Sequence, residues 1–385
     1  APPGGVATLI LPADVSWNDG AAPAPPVASR RPSPVAGEAV EDAAKALRSG
    51  EPAVILLGAD GMRRAAVEAA SRVAAATGAR IIGETFPARH ERGAGIPRVD
   101  RLAYLAEFAA TQLDGARHLI LAGAVAPVSF FAYPGKPGAL TPAGCATHVL
   151  AEPGDDIAGA LRALADLVAA GALPAAQEAR RPDLPAGALT AETAAAVIGA
   201  LLPEGAIVSD EAATSGIFLP GATAGAPPHD WLTLTGGAIG QGLPVATGAA
   251  VASPGRPVLA LEADGSAMYT ISALWTHARE GLDIITVIFS NRSYAILGME
   301  LNRVGADPGG GADVTGGSGA AGGSSAPKAR RLLSLDDPPL DFTALAAGMG
   351  VPAARATTAE EFAAHLRNAL AEPGPHLIEA VVPAL

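Results

Sequence analysis

Residues 257–298 constrain the fold more than any other stretch of the chain. An apolar run, 258–261, breaks at Ala263-Asp264-Gly265-Ser266; a helix-compatible segment follows, and a second apolar run, 284–289, ends at Asn291-Arg292-Ser293-Tyr294. Strand, turn, helix, strand, turn is a βαβ unit. Its crossover is right-handed, so both strand ends reach the same edge of a parallel sheet. The pattern therefore predicts Asp264 and Asn291 as neighbours in space. A carboxylate, an amide oxygen and a nearby turn carbonyl form a hard oxygen set suited to Mg²⁺, an ion that keeps waters and shares phosphate oxygens with its protein ligands. A helix predicted to begin at Gly265-Ser266 offers free N–H groups and a positive dipole end to a phosphate, with Gly265 admitting close approach and Ser266 adding a hydroxyl. Judged on these four residues alone, an ordinary strand-to-helix turn capped by Asp264 and Ser266 is the alternative.

The rest of the chain alternates in the same way. Residues 6–11 read as a short strand, either added to the next sheet or ending a preceding domain, and the Pro- and Ala-rich stretch 21–34 reads as a linker. From 35 to 173 helical and apolar segments alternate: helices over 38–48, 62–77 (closed by Gly78), 101–113 and 155–170, and strands over 53–58, 80–83, 118–122 and 148–151. The turn Gly58-Ala59-Asp60-Gly61 is too short for a dinucleotide fingerprint. A second linker, 174–187, leads to another α/β domain, 188–385, with helices over 191–202, 340–349 and 358–370 and strands over 206–209, 231–234 and 377–382. Within it, Gly236-Gly237-Ala238-Ile239-Gly240-Gln241-Gly242 opens a small-residue helix, and residues 309–326 form a Gly/Ser/Ala-rich loop. The fold class expected is α/β, two doubly wound parallel-sheet domains: a central Rossmann-like domain and a phosphate-binding one.

With 385 residues and 49% hydrophobic content, the chain has ample material for two cores. Its formal charge of -12 argues against nucleic acid or an anionic membrane as partner. A single cysteine, Cys145, excludes an internal disulfide and fits a reducing, cytoplasmic setting. No uncharged stretch escapes interruption by Pro and Gly, so no membrane span is predicted.

Taken together, Asp264-Gly265-Ser266 with Asn291 downstream, the glycine-rich segment 236–244 and Ser209-Asp210-Glu211-Ala212-Ala213-Thr214-Ser215 resemble the cofactor motifs of the thiamine diphosphate-dependent 2-oxoacid enzymes. The surrounding words resemble the acetolactate synthase large-subunit group. The resemblance implies decarboxylation and carboligation of a 2-oxoacid such as pyruvate, with thiamine diphosphate and Mg²⁺ as cofactors. It also implies a homo-oligomer, and leaves FAD in the central domain open. It places Mg²⁺ on Asp264, Asn291 and the Ser293 carbonyl. The diphosphate falls to Ala213, Thr214, Gly265, Ser266 and the amides at Ala295 and Ile296, and the thiamine half to Gly237, Ala238 and the wedge residue Ile239. The family's catalytic glutamate belongs to a pyrimidine-binding domain of which residues 1–34 carry only a last strand and linker, so no catalytic residue is assigned in this chain. A cofactor-binding or assembly chain without turnover of its own is the second reading. Ala263 stands where the family has Gly, a mild change if φ there is negative. Outside these motifs, Glu211 is read either as reaching the site or as a cap, and His277 as core-facing. His148 and Cys145 are read as structural, and Tyr133-Pro134-Gly135-Lys136 as a surface turn.

Overall fold

A computed structural model describes residues 8–20, 22–25, 31–132, 135–303 and 328–384. In chain order its strands are β1 (Ala53–Leu57), β2 (Arg80–Gly83), β3 (His90–Arg92), β4 (Asp100–Arg101), β5 (His118–Ala122), β6 (Ala146–Ala151), β7 (Ile207–Glu211), β8 (His229–Leu232), β9 (Val258–Ala263), β10 (Ile284–Ser290), β11 (Ala353–Ala356) and β12 (His376–Val381). The chain divides into two compact units.

Unit 1 comprises Ala1–Thr85 and Val99–Pro174. Its five-stranded sheet runs β4-β2-β1-β5-β6, every pair parallel. Helices Gly37–Arg48, Arg64–Thr77, Ala106–Leu113 and Ile157–Val168 complete it, and Gly78 closes the second in the left-handed conformation predicted for it. The strand expected over 6–11 is absent from the described part: residues 8–11 pair with nothing, and Leu9 and Ile10 are more than four-fifths exposed. An apolar hexamer becomes a strand only where a sheet edge takes up its N–H and C=O groups, and neither edge of this sheet does. The helix expected from 101 begins five residues later, because Asp100 and Arg101 pair with β2.

Unit 2 comprises Phe86–Arg98 and Ala175–Leu385. Segment 86–98, inside the range read from sequence as the central domain, carries β3 to the edge of the second sheet, where it pairs antiparallel with β8. The seven-stranded order is β11-β12-β10-β9-β7-β8-β3, and all other pairs are parallel. β10 is buried at every residue, as expected for a strand covered on both faces. Ile285, Val287 and Phe289 pack into a core with the Ala191–Leu201 and Ala359–Ala371 helices. Ile284 and Ile288 face the other way, toward Leu243, Ala246, Leu274 and Phe342. Thr190 and Thr358 begin the two helices on the first face with reciprocal capping boxes. The chain steps from β7 out to β8 and back across to β9, so β7 and β9 flank a switch point, the place where open α/β sheets bind ligands at their carboxyl ends. Both units are doubly wound parallel α/β structures.

Candidate functional site

Four loops leave the carboxyl ends of adjacent strands β8, β7, β9 and β10. Ala263 and Phe289 are register partners at the ends of β9 and β10, and the expected proximity of Asp264 to the Asn291 turn follows from this. Asp264 Oδ2 accepts the Arg292 N–H at 2.6 Å and Oδ1 accepts the Gly265 N–H at 2.8 Å. Asn291 Oδ1 accepts the Ser293 N–H at 2.9 Å, and its amide reaches Ser215 Oγ at 3.4 Å, which draws the loop after β7 into the same place. Arg292 is one of few non-glycine residues in the left-handed region, with φ 56°. Ala263 has φ -75°, so its methyl group costs nothing relative to glycine.

Asp264 is buried, and burial pushes its carboxyl up to about 6 even though backbone N–H groups of Gly265, Arg292 and Asn291 pull it down. A buried carboxylate with only main-chain donors beside it, next to an amide oxygen and a turn carbonyl, fits a hard divalent cation. Among the described residues no cluster of three or more His, Cys, Asp or Glu side chains exists that could hold a metal. An Asp–Asn–carbonyl set is not of that kind.

The segment after Asp264 differs from the sequence expectation. It is one short turn, Asp264–Ala267, followed by a separate helix, Ala273–Glu280. Between them the chain tightens into i→i−3 bonds, Tyr269 to Ser266 and Thr270 to Ala267, while Thr270 Oγ1 donates to the Gly240 carbonyl at 2.8 Å. So short a turn carries little macrodipole, and the Gly265 N–H is already engaged by Asp264. Gly265 also packs against a side chain: a β-carbon there would sit 2.9–3.0 Å from Tyr294 Cδ1 and Cζ and closer still to Cε1, so the ring would have to move. Beyond Tyr294 the sequence-read turn continues as the Ala295–Arg303 helix, so Ala295 and Ile296 supply N–H groups from its first turn.

Ala213 and Thr214 begin a 3-10 turn after β7, Ala213 exposed and left-handed at φ 49°. Gly236 and Gly237 are left-handed too, at 69° and 67°, and Thr235, Gly236, Gly237, Ala238 and Ile239 are all exposed. Gln241 folds back over this loop, its Nε2 donating to the Thr235 carbonyl at 2.8 Å. The geometry thus brings the candidates Ala213, Thr214, Gly265, Ser266, Asn291, Ser293, Ala295 and Ile296 to one sheet edge, and the loop bearing Gly237, Ala238 and Ile239 follows the neighbouring strand β8.

Beneath that loop lies a pair of buried acids, of which sequence reasoning weighed Glu211 as reaching the site or as a cap and missed Glu262. Glu211 and Glu262 are register partners on β7 and β9. Glu211 Oε1 accepts the Gly240 N–H and Oε2 accepts the Gly242 N–H at 2.5 Å. Burial raises its pKa against those bonds. Glu262 is 0% exposed and neither of its oxygens meets a donor. Burial first, then the Glu211 and Asp210 charges, push it well above the usual carboxylate range. The signal was in the sequence: one carboxylate, Glu262, inside an otherwise apolar run.

The remaining candidates fall elsewhere. His277 faces the core, bonded to Thr247 Oγ1 at 2.8 Å, and burial lowers its pKa to about 4. Since Thr247 Oγ1 donates to the Leu243 carbonyl, it accepts from His277 Nε2. His148 and Cys145 lie in unit 1, where His148 bridges Asp42 and His118 at 2.6 and 3.1 Å. At the end of β1, Glu84 Oε1 takes the Ala59 N–H, and Gly58 packs against Gly123 and Ala124 so closely that a β-carbon would meet Gly123 O at 2.5 Å. Tyr133, Pro134 and the loop 309–326 lie outside the described residues. No described helix is long and apolar enough to cross a membrane.

Residues 218–380 match the family model "Thiamine pyrophosphate enzyme, C-terminal TPP binding domain". The chain is 59% identical over 388 residues to "Putative acetolactate synthase large subunit IlvX" of Mycobacterium tuberculosis (strain ATCC 25618 / H37Rv), covering 99% of this chain and 70% of that protein. It is 33% identical over 315 residues to the benzoylformate decarboxylase of Pseudomonas aeruginosa, covering 76% of this chain and 53% of the relative, about half its length. Among solved structures, the thiamine diphosphate-dependent 4-hydroxybenzoylformate decarboxylase of Rhodococcus jostii RHA1 superposes with a TM-score of 0.71 at 23% identity, over 93% of this chain and 66% of that one. The benzoylformate decarboxylase of Polynucleobacter necessarius gives 0.71 at 21% identity over 98% and 68%. At those identities the structural likeness speaks for the fold. The chain belongs to the thiamine diphosphate-dependent enzymes, in the group of the acetolactate synthase large subunits.

Proposed function

We propose that this chain holds thiamine diphosphate through Mg²⁺ and serves decarboxylation, with carboligation of the resulting fragment, of a small 2-oxoacid such as pyruvate. One observation carries the reading: the Asp264 carboxylate, buried and bonded only by main-chain N–H groups, lies against the Asn291 turn at the switch point of the sheet. Asp264, Asn291 Oδ1 and the Ser293 carbonyl would hold the ion. Ala213, Thr214, Gly265, Ser266 and the first amides of the Ala295–Arg303 helix would orient the diphosphate, and Gly237, Ala238 and Ile239 the thiamine half. When bound, the cofactor supplies an electron sink for the carbon left as CO₂ departs. The protein's part is to fix geometry, to charge-balance the diphosphate through the metal and to shield the reacting carbon from water.

The reading extends to a homo-oligomer and assigns no flavin site: the Ala59 amide at the end of β1, where a nucleotide phosphate would dock in a Rossmann-like unit, is held by Glu84. Two relatives named as aromatic 2-oxoacid decarboxylases make benzoylformate the competing substrate. CO₂ release from pyruvate and from benzoylformate, measured side by side with Mg²⁺ and cofactor present, decides between them; faster release from benzoylformate overturns the pyruvate assignment. The residues assigned here hold the cofactor, and none is given the pyrimidine-activating role of the family's glutamate. Binding without turnover by the purified chain is therefore the second reading, and CO₂ release by that chain alone refutes it.

A further inference from the structure

Two amides, those of Gly240 and Gly242, converge on the Glu211 carboxylate at the head of the Gly242–Ala252 helix. A carboxylate at the positive end of an 11-residue helix, taking two N–H groups, makes strong charge-assisted bonds. The carbonyls of the glycine-rich turn are held as well: Ser209 Oγ donates to Gly242 O at 2.9 Å and Thr270 Oγ1 to Gly240 O at 2.8 Å. Immediately before this clamped turn the chain is exposed at residues 235–239, ending at Ile239.

We propose that Glu211 is a positioning residue that locks the glycine-rich turn to the end of β7, from which the diphosphate candidates Ala213 and Thr214 follow, and so sets the thiamine half of the cofactor relative to its diphosphate half. This rests on the cofactor assignment given above. The fit is tight on every side. A β-carbon on Gly242 would lie 2.9 Å from Glu211 Oε2 and closer to Glu262 Oε1, and one on Gly240 would lie 2.6 Å from Tyr269 Cβ. Glycine at 240 and 242 is thus what lets the carboxylate reach the backbone, and Glu262, fully buried beside it, closes the space into which the Glu211 side chain would otherwise withdraw. Ile239, the wedge candidate, is covalently next to the first clamped residue.

Two measurements on Glu211→Gln test this, with far-UV circular dichroism as the check on folding. In the chain without cofactor, amide exchange at Gly240 and Gly242 is expected to quicken at least tenfold, while exchange in β10 stays as in wild type. By calorimetry in excess MgCl₂, affinity for thiamine diphosphate is expected to fall at least tenfold and affinity for inorganic diphosphate less than threefold, a split that general loosening of the unit would not produce. Unchanged exchange at both glycines overturns the clamp, as does an equal loss for both ligands. A wild type that binds neither ligand refutes the cofactor assignment instead, and the exchange measurement still judges the clamp. Where Glu211→Gln does not fold, Glu211→Asp takes its place: one methylene shorter, it cannot reach the Gly240 and Gly242 amides together, and full protection with full affinity in that variant overturns the proposal.

Discussion

Replacing Glu262 by Gln should stabilise unit 2 at neutral pH and flatten the dependence of its stability on pH. Glu262 sits on β9 between β10 and β7, 0% exposed, with no donor on either oxygen and the Glu211 carboxylate across the register. Its pKa lies well above the usual carboxylate range because burial, then Glu211 and Asp210, disfavour the charge. The sign follows directly. Between the unfolded value and the folded one, the native state binds a proton the unfolded chain has released, so stability is full below about 4.5 and declines as pH rises. Within that window one such group contributes a slope of up to about 1.4 kcal/mol per pH unit. Gln has the same shape, no charge to bury and an amide that can donate to Glu211. Relief of an unsatisfied buried polar group is worth about 1–3 kcal/mol, which for a unit of this size is a rise in melting temperature of about 2–4 °C per kcal/mol. Urea melts at pH 5, 6, 7 and 8, followed by the fluorescence of Trp231, which is buried in the same unit, give both curves. The two should meet near pH 4.5 and diverge upward, with Gln the more stable. Parallel curves, or a variant less stable at every pH, refute the reasoning.

Three further outcomes are expected. Gly265→Ala should cost about 1–3 kcal/mol by overpacking, because its β-carbon meets the Tyr294 ring; a double-mutant cycle with Tyr294→Ala should recover most of the loss, and full additivity would contradict it. In unit 1, Gly58→Ala should destabilise by more than about 2 kcal/mol, since its β-carbon meets the backbone of Gly123 and Ala124, whereas Gly37→Ala, with open space around it, should stay within about 0.5 kcal/mol in the same urea melts. His277→Leu should flatten the acid limb: burial lowers the folded pKa to about 4 from 6.5, so the histidine's contribution is present above about 6.5 and lost as pH falls toward 4, and melts between pH 4 and 7 should show a shallower fall in the variant.

Much of this architecture was legible because buried parallel strands are written as apolar runs: β1, β5, β9, β10 and β12 all coincide with such runs. The edge strands were not. His90-Glu91-Arg92 pairs through its backbone with β8 while its composition reads as loop, and β11 is an exposed-edge Ala-Ala-Arg-Ala. The proximity of Asp264 to the Asn291 turn was legible from the right-handed crossover alone. The Glu211–Glu262 pair was not, because it depends on β7 and β9 being neighbours, an order that arises only when the chain returns across β7 after β8. Tyr294 against Gly265 was equally hidden, since a glycine kept for a side-chain contact looks in sequence like one kept for a phosphate.

Thiamine diphosphate binding by isothermal calorimetry, with MgCl₂ and then with EDTA, tests the central claim most directly when run on the wild-type chain beside Asp264→Ala. Binding in the wild type that requires Mg²⁺ and disappears in the variant is the predicted result. Equal affinity in the two chains, or affinity indifferent to EDTA, would contradict the assignment of Asp264 and the Asn291 turn as the site that holds the metal and the diphosphate.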